Sequence, residues 1–296
     1  MKTAVIINKN GGNGTEATAA TIRSTVEQQK DTCTLFMVTG EEIARTVEQA
    51  VQRFDKIIVG GGDGTISTAA AVLAGTSVPL GVLPLGTLNH FAKDLGLPLS
   101  PEEALDVALH GVQKRVDVAE VNGRIFINNS SLGLYPHLVK KRDGFIERLG
   151  LGKWSAMALS FFHVFGKFPL YTITAGANGT SITTATPLVF IGNNRYDISL
   201  LELGNRTRID EGILSVYIAC CSGRFCLFRF ALRALFGALD QSKHFESTAM
   251  QHMRIDTRRR LVKVALDGEV ATMTPPLQYR IRPQNLVVMV PKPTQS

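Results

Sequence analysis

The sequence predicts an α/β domain on a mostly parallel sheet, followed by a β-rich, sandwich-like domain. Three observations carry that expectation. Over residues 1–120, short apolar runs rich in β-branched residues alternate with helical stretches, the pattern of strand–helix repeats. Glycine clusters at 11–14 and 60–64 fall at the ends of such runs, where open α/β sheets bind ligands. After Val116 the texture changes to period-two alternation with turn signals. The α/β domain is therefore placed at residues 1–120 and the β-rich domain at 121–285. Residues 286–296 are expected to hold a terminal strand that returns to the first domain.

The elements follow in order. Thr3–Ile7 reads as the first strand and ends in Asn-Lys-Asn-Gly-Gly-Asn-Gly. Glu16–Gln29 reads as a helix, Cys33–Val38 as a strand and Glu41–Arg53 as a helix. Lys56–Val59 is a strand ending in glycines, Ile66–Ala74 a helix, Leu80–Leu83 a strand and Leu88–Leu95 a short helix. Pro101–His110 is helical because Ser100 can cap it and proline suits the first helical position. Alternation over Asp117–Ile127, with Val-Asn-Gly-Arg at 121–124, predicts a hairpin. Leu170–Ala175, Thr186–Gly192, Ile213–Ala219, Leu261–Leu266, Leu277–Arg282 and Leu286–Val290 read as further strands. Helices are expected at Trp154–Phe165 and Phe225–Leu239.

Composition narrows the class. Of 296 residues, 45% are hydrophobic and 19% charged, enough to bury a sizeable core and unlike a disordered chain. Thirty-two Lys and Arg against 25 Asp and Glu give +7 and a pI near 9.3, which suits an anionic ligand, substrate or surface without selecting one. The four cysteines (Cys33, Cys220, Cys221 and Cys226) hold no C-x-x-C pair, against a disulfide scaffold, a zinc site or a thioredoxin motif. The apolar run before Asn8 is too short for a signal peptide. Ser160, His163, Gly166 and Lys167 break Ala156–Phe168 short of the ~20 residues that cross a bilayer. A cytoplasmic protein with reduced thiols is expected. His90, His110, His137, His163, His244 and His252 lack metal-ligand spacing, and no G-x-S-x-G hydrolase motif occurs. No aromatic-studded basic motif points to nucleic acid, so none is expected as a partner.

The strongest local signal is Ile57-Ile-Val-Gly-Gly-Gly-Asp-Gly-Thr-Ile66, a buried strand running through a glycine-dense turn into a helix. Glycines let backbone N–H groups approach a ligand closely, and a helix N-terminus behind them favours phosphate. Thr65 adds a hydroxyl and Asp63 an acceptor for a hydrated cation. The motif is neither a Walker A loop nor a Rossmann fingerprint. Downstream, Pro84 and Gly86 shape a second turn, where Thr87 and Asn89 supply polar groups. Asp267 and Glu269 flank Gly268 after another strand. In extended chain they can share a face, one as base and the other orienting it or a metal; an ordinary Asp-Gly hairpin is the alternative.

Gly61-Gly-Asp-Gly-Thr65 resembles the Gly-Gly-Asp-Gly-Thr signature of the diacylglycerol kinase catalytic-domain family, which includes sphingosine and related lipid kinases. NAD kinases and phosphofructokinases share a version of it. Pro84-Leu-Gly-Thr-Leu-Asn-His-Phe-Ala92 resembles the lipid-kinase pattern Pro-x-Gly-Thr-x-Asn-Asp-x-Ala; the Asn-Glu motif of NAD kinases is absent. Asn8-Lys-Asn-Gly-Gly12 is similar to the family's opening Asn-Pro-x-Ser-Gly loop, with Lys9 at the proline. Thr39 sits where the family has a nucleotide-contacting threonine. Phe126–Gly133 resembles the junction segment Asn-x-x-Ser-x-Gly, Asp210–Val216 resembles Asp-Gly-x-Leu-x-Val, and Leu266-Asp-Gly-Glu269 matches the Asp-Gly-Glu motif.

The resemblance spans essentially the whole chain and implies an NAD kinase/phosphofructokinase-like first domain. It also implies ATP-dependent, Mg²⁺-assisted in-line phosphorylation of a lipid hydroxyl. Nucleotide contacts would come from Asn8, Thr39, Gly60, Gly61, Gly62, Asp63, Gly64, Thr65, Gly86, Thr87 and Asn89. Glu269 and Asp267 would be catalytic, with Glu269 slightly favoured as base, and Asp117 and Glu211 would serve metal sites. Two positions depart from the family: His90 stands where an aspartate usually joins a metal–water network, and Glu211 where aspartate is common. The implied partners are a lipid alcohol and the inner membrane surface, bound peripherally; a homodimer stays open. Three basic stretches bear on a lipid surface: Arg224, Arg229 and Arg233; Lys140 to Trp154; and Arg258 to Arg260. Solvated faces explain such runs more often. The alternatives are an NAD-kinase-like enzyme and a non-catalytic nucleotide- or lipid-binding protein on the same fold.

Overall fold

The computed structural model describes residues 2–10, 16–28, 32–133, 171–177, 180–186, 188–196, 206, 208–219 and 245–293. Four strands, β1 (Thr3–Asn8), β2 (Cys33–Val38), β3 (Lys56–Gly61) and β4 (Leu80–Pro84), run parallel in the order β2-β1-β3-β4. Helices α1 (Glu16–Gln28), α2 (Ile43–Val51), α3 (Asp63–Leu73), α4 (His90–Asp94) and α5 (Pro101–His110) accompany them. Both strand faces are apolar, and the period of two divides them. Ala4, Ile6, Ile57, Val59 and Val82 pack with Ile43, Val47, Ile66 and Leu73 of α2 and α3. Val5, Ile7, Ile58 and Leu83 pack with Ile22, Val26, Ala104 and Leu105 of α1 and α5. Covering both faces with helices is the usual setting of a parallel sheet, and the α/β expectation holds.

The strand order positions the site. β1 has β2 on one side and β3 on the other, so successive crossovers leave β1 in opposite directions. Such a switch point opens a crevice above the carboxyl ends of the strands. Asn8 ends β1, and the turn at Gly62 follows β3.

The second half is built from antiparallel pairing. β5 (Val112–Val121) and β6 (Arg124–Phe126) form the expected hairpin, with Asn122 at φ 48° and Gly123 at φ 81°, as a two-residue turn of this kind requires. β5 starts earlier than its side chains suggest. Val112 to Arg115 are all exposed, and only backbone pairing with β16 (Leu277–Val290) makes them strand. β16 is one strand where the sequence suggests two, with an irregularity between Arg282 and Leu286 and Gln284 at φ 51°. Its first half pairs with β13 (His252–Thr257), and Val288 pairs in parallel with Leu80 of β4. β8 (Tyr171–Ala177) and β9 (Thr180–Thr186) extend that sheet beyond β13.

A second sheet has the order β12-β11-β10-β7-β14-β15. Its strands are β7 (Asn129–Gly133), β10 (Leu188–Asn193), β11 (Leu214–Ala219), β12 (Phe245–Met250), β14 (Val262–Leu266) and β15 (Glu269–Met273), all paired antiparallel. Val121, Phe126, Ile255 and Tyr279 from the first sheet meet Leu132, Val189, Ile191, Val216 and Val264 from the second. Two apolar faces packed this way make the expected sandwich. The helices expected at Trp154–Phe165 and Phe225–Leu239, the loop at 11–14, and the basic stretches at Lys140–Trp154 and Arg224–Arg233 lie outside the described residues. Among the described residues no helix is long and apolar enough to cross a membrane.

Candidate active site

A cleft of about 580 Å³ opens at the switch point, lined by Asn8, Gly62, Gly64, Thr65, Gly86 and Thr87 together with Glu269 from the second sheet. Asn8 joins the two strand ends: its Nδ2 donates to Thr65 Oγ1 at 2.8 Å, and its Oδ1 accepts from the Asn10 amide at 3.0 Å. The glycines serve different ends. A Cβ on Gly61 would fall 2.6 Å from Thr65 Cβ, so packing requires glycine there, whereas one on Gly60 would meet the movable Cδ1 of Ile7 at 2.5 Å. Gly62 has ordinary extended backbone, φ −83° and ψ 179°. The close approach of the two loops requires glycine at position 86, where a Cβ would lie 2.5 Å from Gly62 Cα, whereas a Cβ on Gly62 would meet Gly86 Cα at an ordinary 3.5 Å.

Asn89 shapes the second loop from within. It sits at φ 53°, its Oδ1 accepts from the Gly86 amide at 2.9 Å, and its Nδ2 donates to Gly86 O at 2.9 Å and Pro84 O at 3.3 Å. This left-handed residue is why α4 starts at His90 rather than at the expected Leu88. Thr39 is likewise engaged locally: its amide and hydroxyl both donate to Glu42 Oε2, at 2.8 and 2.9 Å. Those bonds hold the Glu42 carboxyl below its usual pKa. Gly40 and Glu41, beside Thr39, line the cleft. Asp63 is the first residue of α3, next to Gly62.

A second compartment of about 380 Å³ adjoins the first. Ala44, Ala71, Val72, Ile125, Val270 and Ala271 give it aliphatic walls. Gly64, Thr68 and Glu269 line both compartments. The Glu269 side chain is exposed, and its Oε1 lies 3.1 Å from where a Cβ on Gly64 would stand. The carboxylate therefore rests over the first turn of α3.

Asp267 is placed quite differently, two residues away. It sits at φ 47° with Gly268 at φ 90°, forming the tight turn between β14 and β15. Its carboxylate accepts from the amides of Ile127 (2.9 Å), Asn128 (2.8 Å) and Asn129 (3.0 Å), and from Ser67 Oγ (2.5 Å) on α3. Burial pushes its pKa up, against the pull of the Ser67 hydroxyl and the three amides.

The structure also places the two expected metal ligands. Buried Asp117 accepts from the Gly212 amide at 2.6 Å and the Gln284 amide at 2.8 Å, so it anchors the loop that carries Glu211. Glu211 Oε2 is buried without a partner among the described residues. No group of three His, Cys, Asp or Glu side chains able to hold a metal occurs among the described residues.

Sequence reasoning missed several residues here. Thr68 lies one helical turn beyond Gly64, and that spacing could have found it. Ser67 carried no signal. Nor did the buried pair Asp94–Arg206, whose members lie 112 positions apart and meet at 2.6 Å.

Residues 2–121 match the family model described as the diacylglycerol kinase catalytic domain. This segment belongs to the diacylglycerol kinase catalytic-domain family. Asn8, Thr39, the turn at 60–65 and the loop at 86–89 fall within the kinase-family segment, whereas Asp267 and Glu269 lie beyond it. The chain is 26% identical over 239 residues to the diacylglycerol kinase of Bacillus subtilis (strain 168), covering 80% of this chain and 78% of that one. It is 41% identical over 138 residues to a Serratia proteamaculans (strain 568) protein named "Probable lipid kinase YegS-like", covering 44% of each. A 24%-identical Synechocystis protein is covered over 59% of its length, so the chain spans less than two thirds of several curated relatives. A crystal structure of a diacylglycerol kinase from Bacillus anthracis str. Sterne superposes with a TM-score of 0.73 at 22% identity, covering 98% of this chain and 96% of that one. The diacylglycerol kinase fold thus extends through both sheets.

Proposed function

We propose that this chain is a lipid kinase that transfers the γ-phosphoryl group of ATP to the hydroxyl of a lipid. The observation that carries the reading is the position of Glu269, whose side chain borders both the glycine-lined cleft and the aliphatic compartment. A triphosphate suits the first space, where the α3 N-terminus and the turn at Gly62–Thr65 offer backbone donors. An apolar body suits the second.

Phosphoryl transfer asks mainly for positioning and charge stabilisation. The acceptor oxygen bonds to the γ-phosphorus as the bond to the ADP oxygen breaks, and the hydroxyl proton passes to a carboxylate. Glu269 is free to take it. Asp267, with four donors on its carboxylate, is given the task of fixing the turn. Mg²⁺ would neutralise charge on the transferring phosphates, and such ions are usually held by one or two carboxylates with the phosphates themselves. Asp63, the first residue of α3, would hold it, which leaves Glu269 to the proton. The labelled-ATP experiment is direct: the purified chain, a total lipid extract and mass identification of the product. A phosphorylated lipid supports the reading. ATP binding without any transfer would favour the non-catalytic alternative.

Two further outcomes are expected. Gly86→Ala forces the Gly86 and Gly62 loops apart, so ATP affinity falls roughly tenfold or more while the protein stays folded. Overpacking of this kind costs about 1–3 kcal/mol, and about 1.4 kcal/mol is tenfold. Calorimetric titration beside a melting curve checks it; unchanged affinity removes the loops from the nucleotide site. At the inner membrane surface, association is peripheral and partly electrostatic, as the +7 charge suggests. Vesicle sedimentation then rises with anionic lipid content and falls with salt. Binding indifferent to both would exclude the basic surface as its cause.

A further inference from the structure

We infer that Arg206 is a positioning residue that sets the acceptor base through the segment Ile127–Asn129 and Asp267; this rests on the kinase reading above. The Arg206 and Asp94 side chains are 0% and 2% exposed. Arg206 Nε and Nη2 donate to Asp94 Oδ2 at 2.7 and 2.6 Å, and the Arg206 amide donates to Asp94 Oδ1 at 3.1 Å. The guanidinium then reaches away from its ion partner. Nη1 donates to Ile127 O at 2.7 Å and Asn193 O at 3.0 Å, and Nη2 donates to Asn128 Oδ1 at 3.0 Å. The Tyr196 ring lies 5.5 Å from its carbon.

Ile127 and Asn128 are therefore gripped from two sides. Arg206 holds a carbonyl and a side-chain oxygen; Asp267 holds the amides of the same residues. Asp267 also takes the Ser67 hydroxyl on α3 and stands two residues before Glu269. At the other end, Asp94 closes α4, the helix that follows the loop shaped by Asn89. A path of hydrogen bonds thus runs from Asp94, at the end of α4, through Arg206 and the segment Ile127–Asn128 to Asp267 in the turn that presents Glu269. A buried ion pair gives little stability over a well-packed apolar pair, so a pair with every donor placed serves orientation better than cohesion. The planar fork matters: lysine keeps the charge beside Asp94 but cannot hold Ile127 and Asn128 together. Misplacing a reacting group by about 1 Å can cost roughly 10²-fold in rate.

The test uses the full chain and the lipid that wild type phosphorylates. Arg206→Lys and the double variant Asp94→Leu/Arg206→Met are compared with wild type for melting temperature, ATP affinity, kcat, lipid KM and amide exchange at 127–129. The expected result for Arg206→Lys is a kcat at least roughly tenfold lower with ATP affinity unchanged, and faster exchange at 127–129. The double variant should show the same kcat loss at a melting temperature near wild type, because an apolar pair replaces the ion pair. Wild-type kcat in folded Arg206→Lys overturns the inference even if the double variant fails to fold. If wild type itself transfers no phosphate, the kinase reading fails. Exchange then decides the inference: faster exchange at 127–129 in Arg206→Lys supports it, and unchanged exchange overturns it.

Discussion

Glu269→Gln lowers lipid phosphorylation by roughly 10²–10⁴, the usual share of a general base, and leaves the fold and ATP affinity intact. The size follows from chemistry and the selectivity from position. The substitution keeps the shape of the side chain and removes its ability to take a proton. The residue is exposed on β15, so the change disturbs no packing. ATP affinity holds because the glycine loops belong to the first sheet's side of the cleft. Steady-state kinetics with calorimetric ATP titration checks this. A variant with near-wild-type kcat would show that the proton goes elsewhere.

Asp267→Asn behaves in the opposite way. Three backbone amides and the Ser67 hydroxyl converge on the Asp267 carboxylate. An amide presents one acceptor oxygen and an NH₂ that faces donors. Losing a hydrogen bond to a half-buried charged group of this kind costs about 1.5–3 kcal/mol. At about 2–4 °C per kcal/mol, the melting temperature falls by roughly 5–10 °C. Activity per folded molecule falls as well, because Glu269 is carried on the loosened turn. Calorimetric melting with kinetics below the transition separates the two carboxylates. Full stability with lost turnover would make Asp267, rather than Glu269, the proton acceptor.

The contrast between these residues marks what the sequence could convey. Spacing brought Asp267 and Glu269 to notice together, but it could not divide their roles, because the division lies in amides 138–140 positions away. The parallel strands were readable, since each is a short, largely apolar run, and β1 and β3 end in asparagine and glycine. β7, β9, β12 and β15 were not: Asn-Ser-Ser-Leu-Gly or Thr-Ser-Ile-Thr-Thr-Ala-Thr carries little apolar alternation, and pairing partners make these segments strands. The glycine cluster was legible, but the reason for each glycine was not. Gly61 answers to Thr65 and Gly86 to the backbone of Gly62, whereas a Cβ on Gly62 would meet only ordinary contact. Asp94 and Arg206 lack any local pattern, as a tertiary ion pair must.

The long strand β16 has a consequence for how the chain comes into being. Its second half lies between β4 and β5, with Val288 beside Leu80 and Leu286 beside Val116. The edge of β4 thus waits for residues more than 200 positions further along the chain. On the ribosome, the α/β half emerges first yet remains an open sheet, with Leu80 and Val82 on an unfinished border. Contacts so distant in sequence slow folding and leave strand edges bare in the meantime. The first sheet is therefore completed late, by the same strand that runs on into the β-rich half.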